Sequence, residues 1–181
     1  MNPAGWWYAG YLCWLLAGLA DFACHRRTGI AYTSGLPESL LHMLQIALLG
    51  TAILVWLLCE PSAATVAVIG GLTVLHAAAG YLDTRTAYRT RDITPFEQHL
   101  HSVLDMAPWI GMAVVVFPLR SSATAGWEID LRRIPFPAAT WMAVLLPAIA
   151  CCVLPLAMEL FRVLRARRGN LIARPSGQGT P

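Results

Sequence analysis

The sequence predicts an all-α fold, a polytopic bundle of five transmembrane helices, and three observations lead there. Of its 181 residues, 57% are hydrophobic and only 13% are charged, with a mean hydropathy of +0.56. An average soluble domain carries about 25% charged residues, so this chain has too little polar surface to keep a globule in water. Second, five stretches reach the roughly 20 apolar residues that a helix needs to cross the hydrocarbon core. Third, arginines gather on alternate connections, as the positive-inside rule requires. Together these exclude a disordered chain, a collagen-like chain and an ordinary cytosolic domain.

The first apolar stretch runs from about Trp6 to His25. No basic segment precedes it, so it is expected to be retained as a helix and not cleaved as a signal peptide. The second runs from about Glu38 to Leu58, and the third from about Ala63 to Leu82 after the tight turn Glu60-Pro61-Ser62. The fourth runs from about Phe96 to Leu119; Thr94-Pro95-Phe96-Glu97 before it reads as a capping box with Pro at the first helical position. The fifth runs from about Ala138 to Phe161 and contains Pro147 and Pro155, which make it a kinked supporting span. Backbone polar groups inside a bilayer must be satisfied within the span, which favours helices over open strands. Residues 1–168 are expected to form a single transmembrane domain, and 169–181, rich in Gly, Pro and Ser, a disordered tail.

All thirteen basic residues are arginine. Arg26 and Arg27, then Arg85, Arg89 and Arg91, then Arg162, Arg165, Arg167 and Arg168 fall on one side of a five-span map, against Arg120, Arg132 and Arg133 on the other. This predicts an external N-terminus and a cytoplasmic C-terminus in a bacterial inner membrane. Arg85, Arg89 and Arg91 read as topology determinants first, with holding an anionic lipid head group as their alternative role, and Asp92 as a loop residue paired with one of them. A net charge of +3 gives no reason to expect nucleic acid. Cys13, Cys24, Cys59, Cys151 and Cys152 form no Cys-x-x-Cys and read as small apolar fillers. Trp14, Trp109 and Gly70-Gly71 read as packing.

The ionisable residues carry the chemistry. On the five-span map, all five histidines and most carboxylates fall toward the cytoplasmic side. Each ionisable group inside a bilayer costs several kcal/mol, and such groups mark function. Asp21 and His25 are spaced i,i+4, as are Glu38 and His42; His76 and Asp83 are i,i+7; Glu97, His101 and Asp105 form an i,i+4,i+8 stripe. Residues at these intervals share a helix face. Four helices therefore each present His and carboxylate on one face. A single intramembrane His commonly makes only a helix–helix hydrogen bond, but four such faces together call for a cation. Glu97 has an alternative role as a helix cap, and His99 points away from the His101 stripe, as an outer or loop-facing residue.

Imidazole and carboxylate donors suit iron, manganese or zinc. The candidate ligands, Asp21, His25, Glu38, His42, His76, Asp83, Glu97, His101 and Asp105, suffice for two transition-metal ions, iron being favoured over zinc or manganese. Over residues 21–105 this architecture resembles the four-helix di-iron carboxylate proteins. It departs from them in spacing: they use Glu-x-x-His, whereas this chain has i,i+4 pairs, and it also lacks the repeated histidine boxes of membrane desaturases. The resemblance implies a membrane metalloenzyme acting as oxidase, hydroxylase or desaturase on a lipid-like or quinone-like substrate. Zinc in the same shell would imply a hydrolase. The competing readings are a b-type cytochrome with haem between histidines, and an ion or metal transporter. Expected partners are membrane lipid and an apolar small-molecule substrate, and oligomerisation stays open.

Overall fold

A computed structural model of the chain describes residues 3–116 and 126–172. It is all-α among the described residues, with five long helices. Helix α1 is Pro3–Arg27, α2 Leu36–Leu58, α3 Ala63–Tyr88 and α4 Pro95–Val116. Helix α5 is continuous through Ala138–Ala148, a π turn at Ile149–Val153, and Leu154–Ile172. The π turn follows Pro147, which has no N–H to continue the ladder, and its closing bond runs from Leu154 N–H to Ile149 O. Most boundaries agree with the predicted ones within a turn. Helix α3 continues two turns past Leu82, so Asp83 belongs to the helix, and α5 runs to Ile172, through the start of the predicted tail; the rest of that tail, and Leu119 and Arg120, lie outside the described residues.

The helices form a closed ring. Helix α1 packs against α4, α4 against α3, α3 against α2, and α2 and α1 against the second half of α5. The connections sort to two ends. At one end, Cys59 and Leu131 pair as an isolated bridge, and Glu60 N–H donates to Asp130 O at 2.8 Å. There Ser62 caps α3 by accepting from Thr65 N–H, and its hydroxyl donates to Glu128 O at 2.7 Å. A Ser62→Ala variant is expected to lose about 1 kcal/mol of stability, read as a lowered midpoint of thermal unfolding. At the other end, Gly29, in the left-handed region at φ 69°, starts a 3-10 turn at Ile30–Tyr32, and Arg91 reaches across to Thr28.

Three helical segments, Leu36–Leu58, Ala63–Tyr88 and Ala138–Gly169, are long and apolar enough to cross a membrane by themselves. The exterior of the bundle carries many exposed large apolar side chains, among them Leu16, Leu44, Leu54, Leu75, Leu146 and Phe161, which suit lipid and not water. Among the described residues, α1 and α4 are not in that group. Trp and Tyr crowd one end of α1 and Asp21 and His25 the other, while Glu97, Gln98, His99, His101 and Asp105 occupy α4.

Candidate metal centre

The buried interior is polar at one end. Asp21, His25, Glu38, His42, His76, Asp83, Glu97, His101 and Glu159 are all buried. Their positions follow from helix geometry: i,i+4 pairs stack on one face, and the ring of helices turns those faces inward.

Glu159 sits at the centre. Its Oε2 lies 3.1 Å from His25 Nδ1 and its Oε1 lies 2.9 Å from His42 Nδ1. Ser39 donates its hydroxyl to the same Oε1 at 2.9 Å. An ionised carboxylate only accepts, so both imidazoles present Nδ1–H to it. The two rings lie face to face, 4.5 Å apart and 4° from parallel. Phe22 meets each edge-on. In neutral rings, Nδ1–H toward Glu159 leaves the Nε2 lone pair turned the other way.

Those lone pairs face carboxylates. His25 Nε2 lies 3.2 Å from Asp21, 3.6 Å from Glu97 and 3.9 Å from Glu38. His42 Nε2 lies 3.2 Å from Asp83 Oδ2, which also accepts from Gln45 at 3.3 Å. His101 Nε2 lies 3.2 Å from Asp21 Oδ1. Among the described residues, no hydrogen bond satisfies Nε2 of His25, Nε2 of His42, either nitrogen of His101, Asp21 Oδ1, Asp83 Oδ1 or Glu97 Oε2. Two sets of donor atoms converge closely enough to share an ion: Asp21, His25, Glu97 and His101 in one, Glu38, His42 and Asp83 in the other. Glu38 stands between them, near His25 as well. A third set, His25, His42 and Glu159, is the bridging carboxylate with its two rings.

Arg91 closes the centre from the loop after α3. Its Nη2 lies 2.6 Å from Glu38 and 2.5 Å from Glu97, and its side chain is 2% exposed. Burial opposes its charge, but hydrogen bonds to Glu97 and Glu38 and their negative charges hold the guanidinium above even its ordinary high range. The predicted capping box forms by halves: Thr94 Oγ1 accepts from Glu97 N–H at 3.2 Å, while the Glu97 side chain turns into the centre.

The predicted residues therefore divide. The structure brings together Asp21, His25, Glu38, His42, Asp83, Glu97 and His101. It sets His76 and Asp105 apart: both line an adjoining chamber of about 240 Å³ with Asp83 and His101 at its polar end and Trp14, Ile53, Leu145 and Ile149 among its apolar walls. Asp105 Oδ1 lies against Gly80, where a Cβ would come within 3.0 Å of it. His99 is exposed and its Nδ1 lies 2.8 Å from Pro95 O. Two residues of the cluster are absent from the sequence-based set. The supporting role predicted for α5 is corrected by Glu159, the one carboxylate in that helix; a lone acid inside an apolar span was the available signal. Arg91, expected as a topology determinant, is buried between two glutamates, while Asp92, expected to pair with one of the arginines, is exposed and makes no ion pair among the described residues. No family model, curated protein or solved structure matches the chain.

Proposed function

We propose that the protein is an integral membrane metalloenzyme with a two-metal His/carboxylate centre, all five helices spanning the bilayer. The observation that carries this reading is Glu159 held against Nδ1 of both His25 and His42, which in neutral rings puts the proton on Nδ1. It leaves two buried imidazole lone pairs facing carboxylate oxygens at 3.2 Å. Lone pair against anion is repulsive unless a cation lies between.

Protons are the alternative cation. They would turn both stacked rings into imidazolium at 4.5 Å, a repulsion of about 4 kcal/mol at an effective dielectric of about 20. Divalent metals fit better. Asp21, Glu38, Asp83, Glu97 and Glu159 bring five negative charges, and Arg91 offsets one. The four that remain match two divalent ions. One ion would take Asp21, His25, Glu97 and His101, the other Glu38, His42 and Asp83, with Glu38 placed to bridge. Glu159 would orient both histidines through Nδ1, the usual outer partner of a metal-bound imidazole.

The adjoining chamber supports an apolar substrate. Its walls are largely hydrocarbon, with His76 and Asp105 the histidine and acidic side chains that line it outside the ligand sets, and a lipid-like chain lying along the apolar part would present carbon to the centre. That favours iron and oxidation of an alkyl or quinone-like substrate over zinc-dependent hydrolysis. The face-to-face rings, tied to a single carboxylate, leave no slot for a porphyrin between them, which weighs against haem. The five-span arrangement is supported by the closed ring and by the sorting of connections to two ends.

Elemental analysis of detergent-purified protein tests the reading. The expected result is about two metal ions per chain, iron before zinc, with no Soret band in the optical spectrum. His42→Ala and His101→Ala are each expected to lower the metal content, and His76→Ala and His99→Ala to leave it unchanged. Metal content equal in wild type and in a His25→Ala/His42→Ala double variant would refute the centre.

A further inference from the structure

Outside the centre lies a second concavity, a groove of about 740 Å³ between the end of α1, the 3-10 turn and the second half of α5. Arg26 comes to it from α1, Arg162 and Arg165 from α5, well over 100 residues away in the chain. Among the described residues none of the three makes an ion pair, in contrast to Arg91 and Arg132. Three guanidinium groups come to one concave surface whose one carboxylate, Glu159, is already taken by His25 and His42, and they form an unanswered positive charge. The walls beneath them are apolar, Leu19, Phe22, Pro155 and Met158, and exposed Leu19 and Met158 open the groove sideways, where a bilayer would lie. Its floor reaches His25 and Glu159.

We propose that this groove binds a lipid with a phosphate headgroup, the phosphate held by Arg26, Arg162 and Arg165 and the upper part of its chains laid along Leu19, Phe22 and Met158. A terminal phosphate carries about 1.5 to 2 negative charges and three acceptor oxygens, and guanidinium forks match phosphate in shape and charge. A carboxylate headgroup has too few oxygens to engage all three. The apolar walls and lateral opening select a lipid over a water-soluble phosphate. Phe22 lines both the groove and the apolar chamber, so a lipid seated here lies one side chain away from the metal-facing cavity. As the substrate class of the centre, this assignment rests on the function proposed above; as a binding site, it stands without it.

The test is retention of lipid on the detergent-solubilised full chain, followed by native mass spectrometry with equal amounts of phosphatidic acid and phosphatidylcholine. Wild type is expected to retain phosphatidic acid about 10-fold or more over phosphatidylcholine. Arg26→Gln/Arg162→Gln/Arg165→Gln should abolish that preference, and each single Arg→Gln variant should weaken it if the triple variant does not fold. Arg27→Gln/Arg85→Gln/Arg89→Gln, which removes as many exposed cationic residues outside the groove, should keep it. Equal loss in the two triple variants would overturn the proposal in favour of diffuse surface charge. No preference in wild type would overturn it outright, and displacement by equimolar glycerol phosphate would overturn the lipid as ligand. Metal content measured on the same samples separates the two claims: lipid preference without metal leaves the groove standing and removes the centre, and metal without lipid preference does the reverse.

Discussion

Replacing Glu159 with alanine is expected to lower metal affinity about 10- to 100-fold, although Glu159 belongs to neither of the two ligand sets assigned to an ion. The carboxylate accepts from His25, His42 and Ser39. Without it, three buried donors lose their acceptor, each at about 1–3 kcal/mol, and both rings become free to exchange tautomers and rotate. The Nε2 lone pairs then no longer point at the carboxylates across from them. Glu159→Gln keeps the volume but offers one acceptor oxygen in place of two, so it should hold one histidine and release the other. Metal titration of the wild type and both variants checks this. The expected order is wild type, Glu159→Gln, Glu159→Ala, and equal affinity in all three would show that Glu159 orients nothing.

Arg91→Ala is expected to destabilise the fold by roughly 3–5 kcal/mol, the cost of leaving buried carboxylates without their partner. Arg91 touches both Glu38 and Glu97 from a loop, so its removal leaves two adjacent negative charges facing each other at the mouth of the centre. Arg91→Lys keeps the charge without the planar fork and should lie between. Arg89→Ala, two residues away on an exposed side chain, should change stability by no more than about 0.5 kcal/mol. Thermal unfolding in detergent distinguishes them, and similar midpoints for Arg91→Ala and Arg89→Ala would contradict the buried pairing.

Periodicity made the helices and the inward faces legible. Apolar runs located five helices, and i,i+4 spacing placed Asp21 with His25 and Glu38 with His42, as the structure has them. Spacing sorts residues by face but not by depth. His76 and Asp83 share a face yet lie about 10 Å apart along the axis, and Glu97 and Asp105 about 12 Å. Neither pair can serve one ion, which is why His76 and Asp105 line the chamber and stand outside the ligand sets. Glu159 and Arg91 escaped for a different reason. Glu159 is the one acid in its span, so no pattern announced it, and only the tertiary arrangement of α5 and of the loop before α4 brings the two residues to the centre. The role of Arg91 was also masked by its neighbours Arg85 and Arg89, which fit a topology signal.

The central claim is tested most directly by anomalous X-ray scattering from crystals of the native protein, collected above and below the absorption edges of iron and zinc. The account predicts two peaks in the interior, one among Asp21, His25, Glu97 and His101 and the other among Glu38, His42 and Asp83, with Glu159 against both histidines and outside both coordination spheres. An interior without any anomalous peak, and with the imidazoles of His25 and His42 hydrogen-bonded through Nε2 to Asp21 and Asp83, would identify the cluster as a protonated ion-pair network and contradict the metal centre.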